Sequence, residues 1–477
     1  MNAGLTNCPT KEHTMPSDST FFEIVKAIRF RPAGFEYVSF KDDTFRKAFL
    51  ACHDSSRPVT VILGAGGSGK SVIYKMVADY YGYRALCLAP TGVAAHNLEV
   101  SNNNASTIHS SLGLPVKPYY EDYEVFGKTI NVLTGKKLLL IDEISMVNSN
   151  MLDTILRHVE IVNTNRRSSE SRIHVVLFGD PMQLGPVFQR DKLGPVLEEN
   201  PDLENSWDFF NSRKLKMLNP DIYVLKTVFR QRDDYFKKVL DHVRLGVPTD
   251  EDIEYLNSHV GSQRGNVKIC PTNAQVDEEN QKHIDLLAKN EIPYSYDAEY
   301  SFGSGIKDCG FNDHVEIYIG SRVMCTRNHY DCYGNPVFQN GTIGEVVGFE
   351  LDDNGTPIPV VKSDDGKVFS VPRMEFTEGA YRRNQETGKL EFHTVASAMQ
   401  IPLRACYALT YHKCQGLTLP CAHLVLSGNP QPGLLYMGLS RVRDPEGLTL
   451  SGKVTKDMFR TSRDAKAFLE ESESISH

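Results

Sequence analysis

Eight consecutive residues, GAGGSGKS from Gly64 to Ser71, have the types and spacing of a phosphate cradle. Gly64, Ala65, Gly66, Gly67, Ser68 and Gly69 carry almost no side-chain bulk, so their backbone N–H groups can turn inward around an anion. Lys70 is then placed to reach the β- and γ-phosphates of a nucleoside triphosphate, and Ser71 to offer a hydroxyl to Mg²⁺. Binding alone is not hydrolysis, which also needs an acid to hold the metal shell and a base beside the attacking water. The segment KLLLIDEISMV, Lys137–Val147, supplies both: four apolar residues run into Asp142, the metal-side carboxylate, and Glu143, the water-side one. A third segment, VLFGDPMQLGPV from Val176 to Val187, ends on Gly179-Asp180, with Gln183 following as a neutral amide that can sense a γ-phosphate through hydrogen bonds. Taken singly, each piece also fits something ordinary, such as a glycine-rich turn or a solvated helix start. Three in this order point to phosphoryl transfer.

The elements that must hold these groups alternate. Short apolar runs at Thr60–Gly64, Arg84–Leu88, Lys137–Ile141 and His174–Phe178 read as buried strands. Helical patterns at Ser71–Tyr81, Pro90–Leu98 and Asn150–Val162 lie between them, and Asn163–Arg172 is a polar connector. That order predicts βαβ units and a parallel sheet. A second region opens with a strand at Tyr223–Lys226 and carries helices at Asp233–Leu245 and Asn273–Lys289. Between Phe311 and Phe392, β-branched runs are divided by Asn340-Gly341, Asn354-Gly355 and Asp365-Gly366, the marks of antiparallel hairpins. Alternation returns from Val395 to Glu470, so the hairpins interrupt a second α/β unit. The expected layout is a loose tail at 1–38, a first motor domain at 39–222, a second at 223–310 and 393–477, and a small SH3-like β insert at 311–392.

Composition sets outer limits. A chain of 477 residues has room for about three domains. Its net charge of −8 excludes tight duplex binding by bulk charge, though not a local basic groove. No apolar stretch approaches the length of a membrane span, and Met1–Thr20 lacks the pattern of a secretory signal. Ten cysteines, from Cys8 to Cys421, form no C-x-x-C pair, which predicts free thiols in a reducing compartment and no metal-binding cysteines.

The three chemical segments resemble, in spelling and order, those of superfamily-one helicases, and DEISMVNSNMLDTIL (Asp142–Leu156) is similar to the signature of the Pif/RecD-like branch. The resemblance continues through APTGVAAHNL (Ala89–Leu98), STIHS (Ser106–Ser110), VFRQ (Val228–Gln231), YALTYHKCQGLTLP (Tyr407–Pro420) and YMGLSRVRDPEGLTL (Tyr436–Leu450), covering about Ser39 to Thr455. It implies an α/β fold of two RecA-like motor domains with ATP and Mg²⁺ in the cleft between them. It also implies Arg230 and Arg441 as arginine fingers and Gln415 facing the nucleotide. Single-stranded DNA contacts would fall on Pro90, Thr91, Thr107, His109, His412 and Lys413. The implied activity is an intracellular DNA helicase, nuclear or in a viral replication compartment, working 5′ to 3′ as a monomer on single strands and duplex junctions. An RNA helicase and an ATPase remodeller that does not unwind are the alternatives. Tyr330, Tyr333 and Phe338 in the insert are expected to pack rather than stack on bases, and Trp207 to lie in the core. Three departures stand out. No Gln appears in Ser39–Leu50, where the family reads adenine; Gly185 replaces a Pro; and Cys414 replaces a Ser.

Overall fold

The computed structural model describes residues 24–28 and 42–475, apart from 97, 99, 101–102, 104, 116, 118, 123, 168–170, 189, 191–192, 262–266, 307–310, 332–335, 353–354, 384–389 and 429. The first sheet has six parallel strands: β1 (Val59–Gly64), β2 (Ala85–Ala89), β3 (Ser106–Thr107), β4 (Leu138–Ile141), β5 (His174–Gly179) and β6 (Asp221–Leu225), in the order β3-β2-β4-β5-β1-β6. β1, β4 and β5 are buried along their whole length. A parallel strand covered on both faces has no solvent side to make polar, which is why each reads as an unbroken apolar run. Alternate residues feed two cores. Ile62, Leu140 and Phe178 join the cluster under helices 43–51 and 70–81, and Leu63, Leu139 and Leu177 join the one under helix 149–164. Asp42 starts the first of these helices by accepting from Phe45 N at 3.0 Å, and Asn148 starts the last by accepting from Met151 N at 2.7 Å.

Three boundaries differ from expectation. The strand placed at 223–226 in the second domain instead pairs with β1 as the edge of the first sheet, register Tyr223 to Ile62. The C-terminal helix, Arg463–Ile475, packs back on the first domain, where Ala465 and Leu469 enter its core and Phe468 stacks on Phe210. The β insert is larger than 311–392: its antiparallel strands begin at Tyr294 and end at Ala405. Within it, Phe338 is core and Tyr330 is exposed, while Tyr333 lies outside the described residues. Trp207 is buried edge-on to Phe188. Ile24 and Ile28, in the stretch expected to be a loose tail, are buried against the first core.

The second domain has a four-stranded parallel sheet ordered 408–410, 268–270, 422–425, 448–451. Its core joins helix 234–245 to helix 434–439 through Phe236, Leu240, Leu435 and Leu439. Among the described residues, no helix is long and apolar enough to cross a membrane.

Under the first sheet, His53 stacks on Tyr81 at 5.4 Å and meets Phe49 and Tyr80 edge-on, with both ring nitrogens buried and without a hydrogen-bond partner among the described residues. Burial and nearby His174 push its pKa down to about 3, and burial takes His174 to about 4. Both rings are neutral in the fold and protonate readily once unfolded, at about 6.5. Their contribution to stability is therefore complete above pH 6.5 and lost as pH falls toward 4. Melting temperature followed against pH should be level above that window and decline through it, and His53→Phe should flatten part of the slope. An unchanged slope would count against the assignment.

Candidate nucleotide site and strand path

Loops after the carboxyl ends of parallel strands are where such sheets bind ligands. Here β1 leads to Gly64–Lys70, β2 to Thr91, β4 to Asp142, β5 to Asp180 and β6 to Arg230. The phosphate loop turns sharply into helix 70–81. Gly67 has φ +87°, and a Cβ there would stand 2.4 Å from Arg230 Cβ. Only glycine allows both that backbone and so close an approach. Phe229 N donates to Gly67 O at 2.8 Å, closing the contact. Lys70 is buried, and its Nζ donates to Gly64 O at 2.7 Å and Ala65 O at 2.9 Å. Burial lowers its pKa, and Asp180, Glu143 and Asp142 pull the other way. Ser71 is exposed at the first turn of the helix.

At the end of β4, Asp142 is buried, and its pKa is raised to about 7 by that burial and by Glu143. Glu143 has φ +49°, a left-handed conformation that costs a non-glycine residue about 1–3 kcal/mol. That strain aims the carboxylate across the cleft, where Gln415 Nε2 donates to Glu143 Oε2 at 3.2 Å and to Ser145 Oγ at 3.2 Å. Four buried polar atoms on these segments have no partner among the described residues: Ser68 Oγ and the Oε1 atoms of Gln183, Gln231 and Gln415. Buried polar atoms are normally paired. A set of this kind, beside a lysine and two carboxylates, fits a polar phosphate ligand with its metal and water.

Arg230, expected from the second domain, instead lies on the segment that leaves β6 of the first sheet, against Gly67, and its NH1 reaches across to donate to Ser440 O at 3.3 Å. Its pKa is lowered to about 10 by burial and by Arg441. Arg441, expected as a second finger, instead spends its guanidinium on its own domain: Nε on Met437 O at 2.9 Å, NH1 on Leu417 O at 3.3 Å, NH2 on Ser440 Oγ at 2.8 Å. Among the described residues neither arginine forms an ion pair.

Three further residues join the site that the chemical reading had not singled out. Tyr436 OH accepts from Gly66 N at 2.8 Å and donates to Asp180 Oδ2 at 3.0 Å. Arg244 NH2 donates to Asp180 Oδ1 at 3.0 Å. Burial alone would raise the Asp180 carboxyl, but Arg244 and Lys70 hold it below its usual range. Asp180 and Tyr436 lie inside quoted motifs. Arg244 sits in an ordinary amphipathic helix and gave no signal.

The residues expected on the strand divide into groups. Thr91 Oγ1 accepts from Ala94 N at 3.2 Å and Thr107 Oγ1 from Ser110 N at 3.4 Å, so each starts a short helix after its strand. Pro90 precedes the first and His109 lies in the second; burial lowers the pKa of His109 and of His412 and keeps both neutral. Thr107 lines a cavity of about 220 Å³ with Ser106, Ser110 and, from the insert, Arg327, Asn328 and Asn340. Lys413 instead lines one of about 580 Å³ between helix 273–287 and the insert. The six therefore do not share one cavity. They are connected, because Gly416, just after His412 and Lys413, packs on Ala94 and beside Glu143.

Two parallel α/β domains meeting at a phosphate loop, with paired acids and an arginine beside it, have the architecture of a two-domain P-loop nucleotide-binding protein. The AAA domain family model matches residues 43–203. The ATP-dependent DNA helicase PIF1 of Danio rerio is 28% identical over 406 residues, covering 81% of this chain; the chain spans only 57% of that relative's length. The solved Pif1 helicase of Bacteroides is 28% identical and covers 91% of this chain and 97% of its own. With ADP-AlF3 and single-stranded DNA bound, it superposes with a TM-score of 0.74; unliganded, the same protein gives 0.61. Over most of its length this chain is similar in sequence and fold to Pif1 helicases.

Proposed function

We propose that the chain is an ATP-dependent DNA helicase that moves 5′ to 3′ along single-stranded DNA and parts duplexes at junctions. The observation that carries this reading is the segment after strand 408–410. Gln415 bonds the water-side Glu143, and the next residue packs on Ala94 of the helix that Thr91 starts. One short stretch of backbone thus touches both the hydrolytic base and the strand path. A change at the nucleotide must move it, and movement there shifts the grip on DNA.

In the cycle, loop N–H groups and Lys70 hold the phosphates, and Glu143 takes up the attacking water. Ser71 and Asp142 would hold Mg²⁺, which supplies charge neutralisation at the β- and γ-oxygens. Gln183 and Gln415 present amides to the γ end. Arg230 meets the charge that develops during transfer. Alternating closure and opening of the two domains advances the strand. Polarity follows the family resemblance.

The test is ATP turnover with single-stranded DNA and with RNA of equal length, then displacement from 5′- and 3′-tailed duplexes. Stimulation by DNA together with displacement from 5′ tails is expected. Stimulation by RNA alone would replace this reading with an RNA helicase. Stimulation without displacement would replace it with a remodeller.

A further inference from the structure

The chain superposes with a higher TM-score on the DNA-bound relative than on the unliganded one, and Asp180 lies where the two motor domains meet. It follows β5, the strand between β4 and β1, so its carboxylate stands between the phosphate loop and the Asp142–Glu143 pair. Met182 N donates to Oδ1 at 3.2 Å and fixes the carboxylate on its turn. Two groups of the second domain then converge on it. Arg244 approaches Oδ1 with NH2 at 3.0 Å and both oxygens with Nε at 3.3 Å. Tyr436 OH takes Oδ2 and also accepts the N–H of Gly66 in the loop. Asp180, Tyr436 and Arg244 are 0%, 3% and 7% exposed. Water therefore does not compete for these bonds, and charge-assisted bonds of this kind are strong.

We propose that Tyr436 and Arg244 are positioning residues that clasp the second domain onto Asp180 and the phosphate loop, holding the motor closed from within the protein. This rests on the reading of the chain as a nucleotide-driven motor. A purely structural ion pair would keep its own domain folded. This one joins two domains and, through the phenol, reaches the loop backbone. Its loss should therefore act on closure rather than on folding. Among the described residues Glu143 takes a single amide from the second domain, whereas Asp180 takes a guanidinium and a phenol.

Removal of Arg244 outright would strand a buried carboxylate and could unfold the chain. Tyr436→Phe keeps the ring and removes both bonds, and Arg244→Lys keeps the charge but loses the fork. The experiment places a dye on each motor domain and reads the distance distribution of the nucleotide-free protein, with nucleotide Kd and kcat alongside. Melting temperatures near wild type qualify a variant for comparison. Both variants should lose closed population by about three- to tenfold, the range of one or two buried hydrogen bonds. Turnover at saturating ATP should fall with it, and Kd for ADP, bound mainly by the first domain, should stay within about twofold. An unchanged distance distribution overturns the clasp. So does a raised Kd with kcat preserved, which would make Tyr436 a nucleotide ligand. Should the wild type hydrolyse nothing, the functional reading fails, and the distance measurement still decides the clasp.

Discussion

Lys70→Ala is expected to lower ATP turnover by about 10²–10³-fold, the usual consequence of removing one preorganised stabilising group from a buried site. The reason lies in where the charge sits. Lys70 is buried under the loop, its Nζ bonded to Gly64 O and Ala65 O, with Asp180, Glu143 and Asp142 as its electrostatic neighbours. Under the proposed function it is the cation that the loop offers to the β- and γ-oxygens. Its removal takes away that stabilisation and leaves three acids around a phosphate with less positive charge to balance them. Nucleotide affinity should drop along with kcat. Lys70→Arg should rescue little, because a planar fork does not fit beneath two carbonyls that a compact ammonium reaches. Steady-state kinetics checks both variants, and turnover within about threefold of wild type for Lys70→Ala would remove this loop from the mechanism.

What could be read in advance follows from where information is stored. The central strands were legible because burial on both faces leaves no alternative to runs such as LLLI and VILG. The residues that the structure gathers at the loop were legible as a group because a glycine-rich loop and paired acids at strand ends recur at short sequence spacing. The misplaced pieces are those whose meaning depends on a partner. The apolar run at 223–225 looks the same whether it completes the first sheet or opens the second, and only its pairing with β1 decides. Helix 463–475 shows one apolar face and nothing that names the surface it covers. The first insert strands, YSYD and EYSF, are mostly exposed and polar, so they carry little of the apolar alternation by which a half-buried strand is recognised. Arg441 belongs to the right motif, yet the direction of its guanidinium is set by the carbonyls of Leu417 and Met437. Arg244 pairs with an acid 64 residues away, a distance across which sequence pattern gives no cue.

Arg230→Ala is expected to be the most damaging single change, about 10³–10⁵-fold in kcat, the range attributed to an arginine finger in phosphoryl transfer. Arg230 lies against Gly67 of the loop, in the segment between β6 and the second domain, so its position depends on both. Burial and Arg441 depress its pKa to about 10, which still leaves it charged at neutral pH. Two neighbouring guanidiniums with no ion-pair partner among the described residues are unfavourable by themselves. Negative charge developing on a transferring phosphoryl group relieves that repulsion, and the relief is greatest where the charge is most spread. The benefit thus falls on the transition state more than on bound ATP, and the loss should appear in kcat with little change in KM. Arg441→Ala should behave differently. Its bonds hold Leu417, Met437 and Ser440 in place, so melting temperature should fall together with activity. If Arg230→Ala raised KM while kcat held, Arg230 would be a ground-state phosphate ligand, and the charge stabilising transfer would have to come from Lys70 and the metal alone.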